Sequence, residues 1–374
     1  MKQIVKSVFG MLLCTAVFIS GITFACSAKT KSPKELQEEP MKKVEKLMNK
    51  MTWKEKVAQM ILVSAPDHVV TVQKSHQFGG YIFFATDFAK ATPASMRSRI
   101  KSIQKASKVP MLIAVDEEGG TVVRASKYKQ FRTKPYASPR SVYAAGKWKG
   151  IIKDTKSKAK FLKNLGINTN LAPVADVPYK SSDFIYKRSF STSAKSTSTF
   201  IKKVVKTMGE KNLVSTLKHF PGYGNNGDTH TLLIHDRRSK KTFQDRDLKP
   251  FKAGIEAGCD MIMVSHNIVH CFDAKNPASI SPKVISYLRK DMGFDGVIVT
   301  DSLTMNGVLK HTGSIEKSAV RAVKAGNDLL CVSECKKTYN ALVKAVKNKE
   351  ISKKRIDESV KRILLMKYRR GIIS

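Results

Sequence analysis

Acidic residues are scarce: 30 Asp and Glu stand against 68 Lys and Arg in 374 residues, a net charge of +38. Such an excess invites a nucleic-acid partner. The lysines, however, run along the whole chain, with no zinc-binding pattern, aromatic RNA-binding signature or basic dimerisation helix, so none is expected. The charge favours retention on anionic polymers, which needs no dedicated pocket and weakens with salt. Cysteine is scarce too. Cys14 and Cys26 fall in the N-terminal segment, leaving Cys259, Cys271, Cys331 and Cys335. These make no disulfide framework, and the Cys331/Cys335 spacing lacks the His or Cys partners of a zinc site. Cys259 and Cys331 lie in or beside apolar runs and read as core thiols. Neither a GxGxxG nor a P-loop is present, which argues against nucleotide use.

The one long apolar run is at the start. Lys2 and Lys6 precede Val8 to Phe24, and small residues follow around Ala25 and Cys26. Residues 1–26 therefore read as an export signal, with an uncleaved membrane anchor as the alternative. Cys26 stands where a bacterial lipoprotein carries its lipidated cysteine. Thr23 and Phe24 depart from the preferred box, so ordinary cleavage nearby competes with lipidation. Residues 27–44 are charged, carry Pro33 and Pro40, and read as a flexible tether to a domain spanning 45–374.

Hydrophobic residues make up 42% of the chain, enough for a sizeable core. After the tether, short β-rich runs alternate with helical patterns. The runs start at Val57, Gly79, Val109, Asn168, Leu213, Asp260, Gly296 and Asn327. Continuous apolar runs suit parallel strands covered on both faces. Eight of them alternating with helices predict a single-domain (β/α)8 TIM-type barrel; an open doubly wound sheet is the alternative.

Asp116, Asp176, Lys218, His219, His266, Asp301 and Asp328 fall in or just after these runs. In a parallel barrel such ends share one rim, where active sites form. Asp301, closing GVIVTD, can attack an anomeric carbon or merely cap a helix. KHFPGYGNNGDTH, from Lys218 to His230, ends a strand and continues into a Gly-rich loop closing on Asp-x-His. There Asp228 can orient a His230 that donates and accepts a proton, or the two can ligate a metal. Asp116 and Arg124, in VDEEGGTVVR, suit sugar hydroxyls, with a buried ion pair as the structural reading of Asp116. Arg188 reads as a ligand group or a surface arginine. Glu117 and Glu118 read as turn-supporting or solvent-facing, and His235, His270 and His311 as structural or exposed.

KHFPGxG joined to Asp-x-His, with VTDSLTM further on, resembles glycoside hydrolase family 3, in its bacterial β-N-acetylglucosaminidase branch, over roughly residues 45 to 370. The resemblance implies Asp301 as nucleophile, and His230 as acid/base assisted by Asp228. It assigns Asp116, Arg124, Arg188, Lys218 and His219 to the N-acetylglucosamine unit. It implies retention by double displacement, with no metal or organic cofactor. The expected substrates are N-acetylglucosamine-containing oligosaccharides of the cell wall, or of chitin, processed from one end outside the cytoplasmic membrane. Contact with the membrane would be only through a lipid at Cys26. Family members that cleave plain β-glucosides use a glutamate from a second domain, which this chain is not expected to have. The sequence departs from the motif at Tyr223, where a second histidine is common, and in a loop one residue short before Asp228. Two other functions compete: a noncatalytic wall-binding protein, and a phosphorylase, since a histidine acid/base avoids repelling phosphate.

Overall fold

The computed structural model describes residues 33–374 apart from His230. The apolar runs form eight parallel strands: β1 (Ile61–Ser64), β2 (Gly80–Ile82), β3 (Leu112–Val115), β4 (Thr169–Asn170), β5 (Val214–Phe220), β6 (Met261–Val264), β7 (Val297–Thr300) and β8 (Leu330–Val332). Consecutive strands from β1 to β7 pair side by side, and β8 returns to β1 with Cys331 opposite Leu62. A parallel bridge between Val299 and Leu329 links β7 to β8. The ring is a (β/α)8 barrel. Closure leaves no long strand edge exposed. One face of each strand looks into the barrel and the other meets the helices, so both want apolar side chains, and the strands are buried almost throughout.

The helices begin where short hydroxyl side chains cap them. Thr92, Ser138, Ser193, Ser314 and Ser352 each accept the amide three residues on, opening helices Pro93–Lys105, Pro139–Asn164, Ala194–Glu210, Ile315–Ala325 and Lys353–Arg369. The run from Val57 is apolar from its start, yet Val57 to Gln59 close the helix Trp53–Gln59 before β1 begins. A separate two-residue parallel pair, His235–Asp236 with Ile268–Val269, ties the loop after β5 to the segment after β6.

Two expectations at the N-terminal side need comment. The expected signal peptide, residues 1–26 with Cys26, lies outside the described residues. The expected tether, by contrast, is helical from Pro33. Proline at a helix start loses no intrahelical hydrogen bond. Helix Pro33–Asn49 packs on helix Lys353–Arg369, burying Val44 and Met48, with Lys361 Nζ 3.2 Å from Glu45 Oε1. Val44 and Met48 are one turn apart, so this contact, invisible in composition, orders the segment. No helix among the described residues is long and apolar enough to cross a membrane.

Helix Lys353–Arg369 also buries a lysine. Lys367 is fully enclosed, its Nζ donates to Gln59 Oε1 at 3.0 Å, and burial pushes its pKa down to about 7. The unfolded chain, with an ordinary lysine near 10.5, holds more protons between these values. Stability from this group therefore rises with pH from about 7 towards 10.5, and the burial penalty is largest below about 7. Lys367→Met should accordingly raise unfolding free energy most at pH 6, by an amount on the order of a few kcal/mol. The gain should shrink towards pH 10. Denaturant titrations of both proteins at pH 6, 8 and 10 check this; a gain independent of pH would refute the assignment.

Candidate active site at the barrel mouth

Asp116 follows β3, Lys218 and His219 sit in β5, and Asp301 follows β7. The barrel brings these C-terminal strand ends to one rim. There they line a cavity of about 200 Å³ with Glu118, Arg124 and Arg188, and with the apolar Phe84, Leu171, Met263 and Cys331. A roomier cleft of about 790 Å³ lies on the barrel flank beside helix Ile315–Ala325, lined by no strand-end residue. Chemistry, not size, singles out the mouth.

Its framework is a set of linked ion pairs. Lys218 Nζ donates to Asp116 Oδ1 at 2.7 Å and lies 2.6 Å from Glu118 Oε1. Arg188 grips the same Glu118 with both arms, Nε to Oε2 at 3.0 Å and Nη2 to Oε1 at 2.7 Å. Arg124 Nη2 reaches Asp116 Oδ2 at 3.3 Å, while its buried Nε has no hydrogen-bond partner among the described residues. Lys218 and Glu118 are each 2% exposed. Burial opposes the charge on Glu118, but Lys218 and Arg188 outweigh it and hold the carboxyl well below the usual carboxylate range. Burial likewise opposes the charge on Lys218, and Asp116 and Glu118 overturn that, raising its pKa.

Asp176 organises the end of β5. Its Oδ2 accepts from the His219 amide at 3.0 Å and lies 2.7 Å from His219 Nδ1; its Oδ1 accepts from the Tyr223 amide at 2.8 Å. On the other edge of the ring, Arg188 Nη2 is 3.2 Å from His219 Nε2. A guanidinium only donates, so Nε2 accepts and the ring proton sits on Nδ1, facing Asp176. The Lys218–His219 peptide bond is cis.

Asp301 keeps its backbone in the barrel: its amide donates to the Val264 carbonyl at 2.9 Å, and its Oδ1 accepts from the Ser302 amide at 2.8 Å. It does not cap the next helix, which starts at Asn306 behind Met305. His266 is buried beneath, its Nε2 2.9 Å from the Ser302 carbonyl and its Nδ1 2.7 Å from Ser279 Oγ. Asp228 is half-buried on the loop after β5, and Thr229 behind it is fully buried. His230 lies outside the described residues.

The mouth thus gathers Asp116, Arg124, Arg188, Lys218, His219 and Asp301. Two readings change. Glu118 is neither solvent-facing nor a mere turn residue: the chain reversal at Gly119–Gly120 folds it inward, between Lys218 and Arg188. Nothing in a DEEGG string separates that carboxylate from its neighbour. Glu117 is also buried, and supports the turn by accepting the Arg124 and Ala125 amides at 3.1 and 3.0 Å. Asp328 does not belong to the rim, because β8 starts only at Leu330 and leaves it at the opposite end. There it binds Arg289 and Arg362 and accepts the Ile298 amide. Arg188 is no surface arginine, and Cys259 and Cys331 are buried free thiols.

Removing Glu118 leaves two buried cations short of a counter-charge. Glu118→Ala is expected to lower unfolding free energy by about 3 kcal/mol at pH 7. A carboxyl with a lowered folded pKa gives stability above its unfolded value, lost as pH falls towards the folded one. The deficit of Glu118→Gln should therefore narrow as pH drops below about 4. Urea titrations at pH 7 and pH 3 measure both.

Comparison with known proteins agrees with this geometry. The family model for the Glycosyl hydrolase family 3 N terminal domain matches residues 52–366. A Beta-hexosaminidase of Methylococcus capsulatus is 30% identical over 279 residues, 73% of this chain and 81% of that protein. An uncharacterized secreted glycosyl hydrolase of Arthroderma benhamiae is 30% identical over 322 residues, 82% of this chain and 89% of that protein. The structure of a glycoside hydrolase family 3 beta-N-acetylglucosaminidase from Paenibacillus sp. str. FPU-7 superposes with a TM-score of 0.81 at 31% identity. It covers 86% of this chain, which spans 63% of that protein. A family match over most of the chain, on a closed (β/α)8 barrel with its ionisable residues gathered at the mouth, places this protein in glycosyl hydrolase family 3 as a glycoside hydrolase.

Proposed function

We propose that the protein is a retaining exo-β-N-acetylglucosaminidase that releases terminal N-acetylglucosamine from cell-wall muropeptides, or from chitin oligosaccharides. The observation that carries this reading is the placement of Asp301 at the end of β7, in a small cavity shared with Asp116, Arg124, Arg188, Lys218 and His219. A carboxylate and several fixed donors and acceptors, brought together in a space suited to one sugar unit, match the needs of exo cleavage. The names borne by the Methylococcus and Paenibacillus proteins support the acetamido sugar.

In this reading the Asp301 carboxylate attacks the anomeric carbon while the bond to the leaving oxygen breaks, and His230, oriented by Asp228, gives that oxygen its proton. A glycosyl-aspartate ester results. Water then loses a proton to His230, its oxygen takes the anomeric carbon, and Asp301 is freed with the configuration retained. An imidazole suits both halves because it titrates near neutral pH. Asp116, Arg124, Arg188, Lys218 and His219 hold the sugar. The N-terminal residues export the chain, which is secreted or held by a lipid on Cys26 at the outer face of the cytoplasmic membrane. Its surplus of positive charge keeps it on anionic wall polymers.

The soluble domain should cleave 4-nitrophenyl β-N-acetylglucosaminide and leave the β-glucoside untouched. Asp301→Ala should abolish turnover, and His230→Ala should lower kcat/KM by about 10²–10⁴-fold. Binding to wall material with no cleavage by the wild type would instead establish a wall-binding protein. Product formation that requires inorganic phosphate and yields the sugar 1-phosphate would make it a phosphorylase.

A further inference from the structure

Tyr223 fills the variable position of the KHFPGxG motif, and its surroundings give it a use. The side chain is 1% exposed. Its ring meets the His219 ring edge-on at 5.0 Å and the Phe184 ring at 5.7 Å, and its amide is held by Asp176. From this fixed base the phenol reaches forward to share a hydrogen bond of 2.6 Å with Thr229 Oγ1. Thr229 is the residue between Asp228 and His230.

Thr229 is fixed on a second side. Its carbonyl accepts the Gly307 amide at 3.1 Å, and a Cβ on Gly307 would lie 2.8 Å from that oxygen. Only glycine lets the two segments approach so closely. One residue of the loop is therefore tied by its hydroxyl to the end of β5, where the proposed sugar-binding Lys218 and His219 reside. By its backbone it is tied to the segment that follows Asp301. Between Tyr223 and Thr229 lie Gly224, Asn225, Asn226, Gly227 and Asp228. Gly224 is at φ +56, and Asn225 and Gly227 are exposed. Asn226 anchors the middle of the span, its Nδ2 donating to the Tyr223 carbonyl at 3.0 Å and to Asp236 Oδ2 at 2.6 Å, and the Thr229 hydroxyl anchors the end that carries Asp228. Burial pushes the Tyr223 phenol well above its ordinary range, and the charge of Asp301 adds to this, so the hydroxyl keeps its proton.

We propose that Tyr223 is a positioning residue: its hydroxyl, through Thr229, sets the Asp228–His230 loop over the mouth for proton transfer to the leaving group. The proposal rests on the acid/base reading of Asp228 and His230 given above. It separates two jobs within one motif, Lys218 and His219 holding sugar and Tyr223 placing the proton donor. Tyr223→Phe keeps the ring contacts and removes only the hydroxyl.

The test is leaving-group dependence. A 2,4-dinitrophenyl aglycone departs without a proton, whereas a phenyl aglycone needs one. In the glycosylation step, read as the pre-steady-state burst or as kcat/KM, Tyr223→Phe should release dinitrophenol at nearly the wild-type rate. It should cleave the phenyl substrate about 10- to 100-fold more slowly, in kcat rather than KM. Thr229→Val removes the same bond from the loop side and should behave alike, Thr229→Ser should retain wild-type rates, and the double variant should be no worse than either single one. Equal losses on both substrates, or none, in Tyr223→Phe and Thr229→Val would reduce the tyrosine to packing and overturn the proposal. Should Tyr223→Phe not fold, Thr229→Val decides alone. His230→Ala serves as reference: if it lacks leaving-group dependence, the acid/base reading fails and takes this proposal with it. If it shows the dependence and the hydroxyl variants do not, only the clamp fails.

Discussion

The rest of the mouth depends on Lys218. Its ammonium is buried at the end of β5 between Asp116 and Glu118, and Glu118 in turn holds Arg188. Taking such groups out of water is costly, and an apolar set of the same volume would often be as stable or more so. Retention of the ions therefore needs a reason other than stability. The reason in the geometry is aim. Each cation is fixed by a carboxylate that is fixed by another cation, so donors and acceptors face the cavity without the freedom of long side chains in water. With Arg124 included, three cations share the mouth with the carboxylates of Asp116, Glu118, Asp176 and Asp301, so the mouth carries no surplus of positive charge although the chain as a whole carries +38.

That contrast separates two kinds of electrostatics in one molecule. The surplus charge sits on the helical exterior, where it acts at long range, without orientation, and is screened by salt. Inside the mouth the pairs are short, partly or wholly desolvated and matched, so salt reaches them poorly. If the exterior holds the enzyme on a polyanion, as proposed, it does so without competing for the groups that face a neutral sugar.

How much of this was legible follows from what each residue's position depends on. The eight strands could be read because burial on both faces leaves continuous apolar runs, and Asp116, Lys218, His219 and Asp301 could be placed because each closes or ends such a run. Glu118 could not, since its inward turn depends on how Gly119–Gly120 reverse the chain, a matter of backbone geometry. Asp328 reads as a rim residue because the three residues that precede β8, Asn327 to Leu329, continue into its apolar run without a break. The helix from Pro33 escaped notice because its order comes from a contact with helix Lys353–Arg369, more than 300 residues on. Arg188 sits in a loop of ordinary composition, and only the carboxylate it meets marks it as part of the mouth. Local pattern shows which segments are buried; it does not show which distant partner a charged side chain finds.

The barrel also divides precision from movement. Lys218, His219 and Asp301 are carried by strands or by residues hydrogen-bonded to them, so their geometry is as rigid as the sheet. Asp228 is carried by a loop rich in glycine and asparagine, whose freedom must be limited at some point if a proton is to be delivered to one atom. Thr229 supplies that point because it is small enough to be buried, has a hydroxyl for Tyr223, and offers its carbonyl to a glycine amide. The loop is thus held at two points, Asn226, whose Nδ2 donates to Asp236 Oδ2 at 2.6 Å, and Thr229, next to Asp228 itself. A side chain as long as tyrosine reaches Thr229 from just beyond β5 while its ring stays packed against His219 and Phe184, so one residue joins the rigid strand end to the loop that carries Asp228.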